Sequence, residues 1–234
     1  MTEDQQPEDV EYSAGGSRIH RYSGGEFDNP EIRVPPEEHH DFQQKRERVF
    51  DSVFGDSENV FHEVLPLFPH IDVYVHAPTE QRDFYTLVTG GMSNDRMTLP
   101  QGVPTDFARA ELVFYCNEPK PEYAELLRKL AHFPHDNRTW LSYGHTMPNG
   151  QPPEPIFENP QLDTLILLGS IVAPDSTFEE QLSLNGDPVN LLWLLPISTP
   201  ECQYKLDHGA DAFYEILDKN QHPFVFEPDR QSYL

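Results

Sequence analysis

Between His70 and His76 polar and apolar residues alternate without a break, and a period of two is the signature of a strand, where successive side chains point to opposite faces. Ile71, Val73 and Val75 fall on one face, and His70, Asp72, Tyr74 and His76 on the other. A second strand pattern, Phe84 to Thr89, follows a loop from Ala77 to Asp83 that contains Pro78, so the two read as an antiparallel pair. Gly90 and Gly91 then permit backbone angles that a side chain resists, which makes them structural positions. Met92 to Met97 leaves the sheet as a loop, where function concentrates.

Elsewhere the period changes to that of a helix. Phe42, Val49, Phe50, Val53 and Phe54 predict a first helix from Glu37 to Phe54, stopped by Gly55. Tyr123, Leu126, Leu127, Leu130 and Ala131 predict a second, opened by Pro121 and closed before Pro134, after a strand from Ala110 to Cys116. Asn137 to Pro160 reads as a long surface connection. Leu162 to Leu168 and Val189 to Leu195 are apolar runs that suit strands covered on both faces, with a turn at Asn185-Gly186 between them. Ser198-Thr199-Pro200-Glu201 starts a last helix, capped either by a Ser198/Glu201 box or by Thr199 ahead of Pro200, that runs to about Lys219. The class expected is α+β, one domain with a mixed, largely antiparallel sheet packed by helices. Its boundaries fall at 37–220, between an arm at 1–36 and a tail at 221–234.

Composition changes the picture at the N-terminus. Met1 to Asp41 holds 11 acidic and 3 basic residues, and apolar residues are too scarce there to offset ordering entropy, so 1–36 reads as a flexible acidic arm. Two scraps within it, YSAGG at Tyr12 and YSGG at Tyr22, hint at a docking peptide. Net charge over the chain is −24, which repels nucleic acid and anionic membrane and serves either solubility or a strongly basic protein partner drawn in by long-range attraction. Two cysteines, an N-terminus without a basic and apolar leader, and apolar runs too short to span a bilayer point to a reducing, cytoplasmic setting.

Candidate chemistry is thin. His70, Asp72 and His76 are competent metal ligands, yet they lie too far apart along one strand to share an ion unless His135 or His145 folds back, so no metal and no cofactor is expected. His62-Glu63 begins like a zincin helix, but Pro66 stands where the second histidine is needed. Hydrolase, phosphate-loop and dinucleotide motifs do not occur. Cys202 at a helix start has no evident histidine partner. Glu111, within a strand, needs a cation, for which Arg96, Arg109 and Arg138 are the candidates. Asp95, Arg96, Asp106 and Phe107 in the following loop suit protein recognition better than turnover.

PHIDVYVHAPTEQRDFYTLVTGGMSNDRM (Pro69 to Met97), RAELVFYC (Arg109 to Cys116), NLLWLLPISTPE (Asn190 to Glu201) and GADAFYEIL (Gly209 to Leu217) occur in this order. Together they resemble the suppressor-of-fused domain family, over roughly Glu37 to Asn220. The resemblance, closest to the single-domain bacterial form, implies a non-catalytic immunity protein that binds and neutralises a polymorphic toxin, often a nuclease, in the cytoplasm. The surface expected to take a basic toxin domain is Asp72, Tyr74, His76, Asp95, Arg96, Asp106 and Phe107, with Gly90, Gly91 and Glu111 structural. A metal-dependent hydrolase built on the His/Asp row and a general sequestering adaptor are the competing readings.

Overall fold

The computed structural model describes residues 11–21, 37–64, 67–173 and 175–234. Most of the expected arm, 1–10 and 22–36, lies outside the described residues. Within it, Glu11–Tyr12 (β1) and Arg18–Ile19 (β2) pair as a small antiparallel hairpin.

The body is built on an eight-stranded sheet. Its strands are Ser57–Phe61 (β3), Asp72–His76 (β4), Tyr85–Gly90 (β5), Arg109–Cys116 (β6), Thr146–Pro148 (β7), Thr164–Gly169 (β8), Ser183–Leu184 (β9) and Asp187–Ile197 (β10). They run in the order β3-β4-β5-β6-β10-β8-β7, with β9 paired to the start of β10. Every pairing is antiparallel except β6 with β10. The parallel pair sits at the centre, and all eight residues of β6 are buried. This is the mixed, largely antiparallel α+β sheet that the periodicity predicts.

Helices cover both faces. Pro121–Asp136 (α2) lays Tyr123, Leu127 and Leu130 on the face that carries Ile71, Val73, Val75, Leu112 and Phe114. Glu37–Phe54 (α1), Thr199–His208 (α4) and Ala210–Lys219 (α5) cover Tyr74, Val88, Val113 and Trp193 on the other, helped by Phe178 from the short Phe178–Gln181 helix (α3). Burial on both sides explains why β8 and β10 read as continuous apolar runs. Strand β3 escapes detection because it is the opposite case: an edge strand, Ser-Glu-Asn-Val-Phe, largely exposed and without an apolar face to repeat.

Two local expectations are corrected, and one open alternative is resolved. Helix α2 continues past Pro134 to Asp136; a proline in the last turn removes one amide donor where few helical bonds remain, and Thr139 closes the end by donating to the Pro134 carbonyl at 2.9 Å. The single C-terminal helix is two helices, broken at Gly209, whose φ of 94° cannot continue α4. Its start resolves to the capping box, with Ser198 Oγ accepting from the Glu201 amide at 3.2 Å and Glu201 Oε2 from the Ser198 amide at 2.7 Å.

The stretch 221–234 does not trail away from the body. Phe226 packs 5.3 Å from Phe114 and donates its amide to the Tyr115 carbonyl at 2.8 Å. Arg230 is buried and grips the Glu201 carboxylate through both terminal nitrogens, at 2.7 and 2.9 Å. A second buried arginine, Arg82, pairs with Asp175, which also accepts from the Tyr115 hydroxyl. These pairs fix a loop and a terminus to the sheet, since a buried charge without its partner is far costlier than the pair.

Four histidines of the same body, His76 buried and the other three half-buried, are held toward the neutral form. Burial pushes His145 and His222 down to about 4, and lowers His76 and His135 as well. A histidine held neutral by the fold takes up its proton in the unfolded chain first, near pH 6.5, so folding stability is full above that pH and falls as pH drops toward 4. Chemical denaturation at pH 7.5 and pH 5.5 is expected to differ by about 1 kcal/mol for His145 and by as much for His222. His222→Asn should flatten the profile by about that amount; an unchanged profile would contradict the assignment.

Candidate functional site

The chain leaves the sheet at Gly90-Gly91, and the backbone there has no room for side chains. A Cβ on Gly91, whose φ is 138°, would lie 2.0 Å from the His70 carbonyl oxygen; one on Gly90 would lie 2.5 Å from the Tyr74 ring. Under the turn sits Glu111 of β6, with no exposed surface. Its Oε2 accepts from Thr89 Oγ1 at 2.7 Å, and its Oε1 accepts from the Gly91 amide at 3.0 Å, the Ser93 amide at 3.2 Å and Ser93 Oγ at 2.6 Å. The cation beside it is Arg46 of α1, 3.7 Å away, and none of the three arginines expected from the sequence. Arg46 also donates to Asn94 Oδ1 at 2.6 Å.

A second carboxylate holds the far end of the loop. Arg109 donates to the carbonyls of Ser93 and Asn94 at 2.7 and 2.8 Å, and through Nε to Asp187 at 3.1 Å. Asp187 in turn takes a two-point grip from Arg96, at 2.6 and 2.7 Å. Burial alone would raise the Asp187 carboxyl, but the bonds from Arg96 and Arg109 outweigh it and hold the group below the usual carboxylate range. The loop from Met92 to Phe107 is therefore clamped to β6 and to the start of β10.

On this platform the expected recognition residues are partly displayed. Arg96 and Asp106 are exposed, while Asp95 and Phe107 are half-buried. The Asp106 carbonyl is held by Asn190 at 2.7 Å, and Phe107 meets the edge of Trp140 at a centroid distance of 6.3 Å.

Asp72, Tyr74 and His76 are not part of that display. The alternation is as read, but α1 covers the face, so the row expected to look outward is interior. Tyr74 donates to Glu47 of α1 at 2.7 Å and stands edge-on to Phe50; burial raises its phenol well above the usual range. His76 is packed between Phe50 and Phe54, with Nδ1 2.6 Å from the Gly55 carbonyl. Asp72 turns instead toward the rim, where His62 and His70 contact its two oxygens at 3.1 and 3.2 Å. His135 bonds to the Met92 carbonyl and His145 stacks edge-on to Trp140, so neither completes a ligand set with the row. Among the described residues no group of three or more His, Cys, Asp or Glu side chains is placed to hold a metal ion.

Cys202 is buried and its thiol is raised by that burial, the reverse of an activated nucleophile. Of the residues that do most to build the site, Arg46 and Asp187 stand in no motif and Ser93 lies in the Pro69–Met97 stretch, but each acts through a contact across at least eighteen positions of sequence.

A sheet buried on both faces, internal carboxylates given wholly to structure and a clamped loop define a domain suited to presenting a surface. The residues 68–231 match the model of the suppressor of fused protein (SUFU) family, and the chain belongs to that family. Its SUFU-like domain is consistent with non-catalytic protein binding. Two solved structures share the fold. One is a SUFU homolog from Neisseria gonorrhoeae, at 18% identity and a TM-score of 0.60, covering 83% of this chain and 98% of that one. The other is the Sufu-Fu complex, at 15% identity and a TM-score of 0.55, covering 86% and 93%. A search of curated proteins gave no match. Among the described residues no helix is long and apolar enough to cross a membrane.

The clamp makes a quantitative expectation. Glu111→Gln keeps the shape but sets an amide N–H₂ against groups that all donate, and should cost about 3 kcal/mol in equilibrium unfolding. Gly91→Ala should cost at least about 2 kcal/mol, since it adds a clash to an unfavourable φ. A loss under about 0.5 kcal/mol in either variant, the level of an ordinary surface change, would show that the turn is not held this way.

Proposed function

We propose that this protein is a cytoplasmic immunity protein that neutralises a toxin domain by stoichiometric, non-catalytic binding. The observation that carries the proposal is where the charge lies. Net charge is −24, and four of the chain's cations, Arg46, Arg82, Arg109 and Arg230, are buried against Glu111, Asp175, Asp187 and Glu201. Those pairs cancel inside, and the acidic excess remains outside. A nuclease must be positive where it grips phosphate, so an acidic surface steers into that cleft and competes with its substrate. Membership of a family in which one solved relative is a Sufu-Fu complex supports a protein as the ligand.

The contact surface in this reading is the clamped loop. Asp95 and Asp106 supply attraction, Phe107 supplies apolar contact, and Arg96, already committed to Asp187, sets the loop's shape. Preorganisation matters because ordering a loose loop on binding costs affinity. In this reading 37–220 is the binding body, and the packing of Phe226 and Arg230 supports 221–234 as a tail anchored to it.

Binding kinetics against a cognate basic toxin domain test this. Association should slow as salt rises and the screening length falls from about 10 Å at 0.1 M to about 3 Å at 1 M, while dissociation changes little. Asp106→Lys should lower the association rate about threefold. Phe107→Ala should raise the dissociation rate about fivefold, equivalent to about 1 kcal/mol. Rates indifferent to salt and to both substitutions would place the interface elsewhere, and catalytic turnover of the partner would refute the stoichiometric mechanism.

A further inference from the structure

The N-terminal hairpin lies outside the family match, and it is seated on the body. Its strands are closed by the Ser13 amide donating to the Ser17 carbonyl at 2.8 Å and the Gly16 amide to the Ser13 carbonyl at 3.0 Å. The tip enters the corner between α4 and α5, where the Gly15 amide donates to the Leu206 carbonyl at 2.7 Å. No other residue type fits there: a Cβ on Gly15 would lie 2.3 Å from the Gly209 nitrogen and 2.8 Å from the Leu206 oxygen. Beside the tip, Lys205 donates to Ser17 Oγ at 3.4 Å. Lys205 is only 5% exposed, and among the described residues no carboxylate pairs with it, so the hairpin supplies the hydroxyl acceptor that its buried ammonium needs.

The hairpin is also of the opposite charge to its surroundings. Arg18 and Arg21 stand against one acidic residue, Glu11, which Arg21 grips at 2.8 Å. The corner it sits on is flanked by exposed Asp207 and Asp211. Yet its apolar seat is small. Tyr12 is 62% exposed, Ile19 is half-buried, and a lone two-stranded hairpin is at best marginally stable in water.

We propose that the α4–α5 corner is a docking groove for a basic segment with a glycine-centred turn, and that Glu11–Arg21 is the chain's own displaceable occupant. This extends the protein-binding reading, on which it rests, to a second surface separate from the clamped loop. A partner presenting such a segment takes the place of the hairpin. Until then the hairpin shields Lys205 and excludes weaker ligands, because a tethered segment acts at an effective concentration of the order of millimolar.

The test uses the full chain and needs no toxin. Gly15→Val forces the tip out of the corner, and Ser13→Pro, which removes the amide that closes the hairpin, releases it by a second route; neither touches a body residue. Amide exchange across Ser13–Ile19 should rise at least about tenfold in both variants, with the β5 and β6 amides unchanged. A peptide of residues Glu11–Arg21, added at up to millimolar concentration, should shift the NMR signals of Lys205–Asp211 in the variants and bind wild type at least about tenfold more weakly, since its groove is filled. The same peptide carrying Gly15→Val, or with its residues scrambled, should not bind. Unchanged exchange in both variants would overturn the docking. Equal binding to wild type and variants, or a scrambled peptide that binds as well, would overturn the groove and reduce the effect to nonspecific charge. Because no partner protein enters the experiment, its failure would leave the kinetic test of the immunity reading standing on its own.

Discussion

A carboxylate removed from water must have its lone pairs answered by the protein, and Glu111 has four hydrogen bonds and an arginine gathered around it. That requirement shapes everything near it. Thr89 at the end of β5, the Gly91 and Ser93 amides of the turn, the Ser93 hydroxyl and Arg46 of α1 all face one buried point, so the strand, the loop and the helix cannot move independently. The two glycines follow as a consequence. Amides can converge on the carboxylate only if the backbone passes within contact distance of His70 and Tyr74, where no side chain fits. Arg109 and Asp187 then extend the constraint from the turn to the start of β10.

The same economy governs charge. Buried arginines answer buried carboxylates one for one at Glu111, Asp175, Asp187 and Glu201, leaving the exterior to the acidic surplus. The protein thus combines an interior tied by ion pairs with a surface that is acidic on balance. Such pairs contribute less to net stability than apolar packing of the same volume would, but each ties a loop or terminus to a defined place, which an apolar contact does less selectively. A rigid surface with a strong net charge suits fast encounter with an oppositely charged macromolecule.

Much of the fold was legible because periodicity is local. The alternation at His70–His76, the helical stripe from Phe42 to Phe54 and the apolar runs around Leu165 and Leu192 each announce their element within a few residues. What periodicity cannot carry is which layer covers a face. Asp72, Tyr74 and His76 read as an outward polar row, and only the placement of α1 turns the row inward; a tyrosine and a histidine are amphipathic enough to suit either side. Glu111 was visible as a charge in need of a partner, but Arg46 lies sixty-five positions away in the chain and no local signal joins them. The hairpin was legible only as a repeated scrap, since its seat depends on a gap at Gly209 that exists only in the folded corner.

The central claim is that the loop following Gly90-Gly91 is ordered from beneath before any partner arrives. Amide hydrogen exchange of the free protein across Gly91–Phe107 tests it most directly. The account predicts that the Gly91 and Ser93 amides, both donors to Glu111, exchange as slowly as those of β5 and β6, through global unfolding alone. Exchange of these two amides at the rate of an open surface loop, while β5 and β6 stay protected, would contradict it.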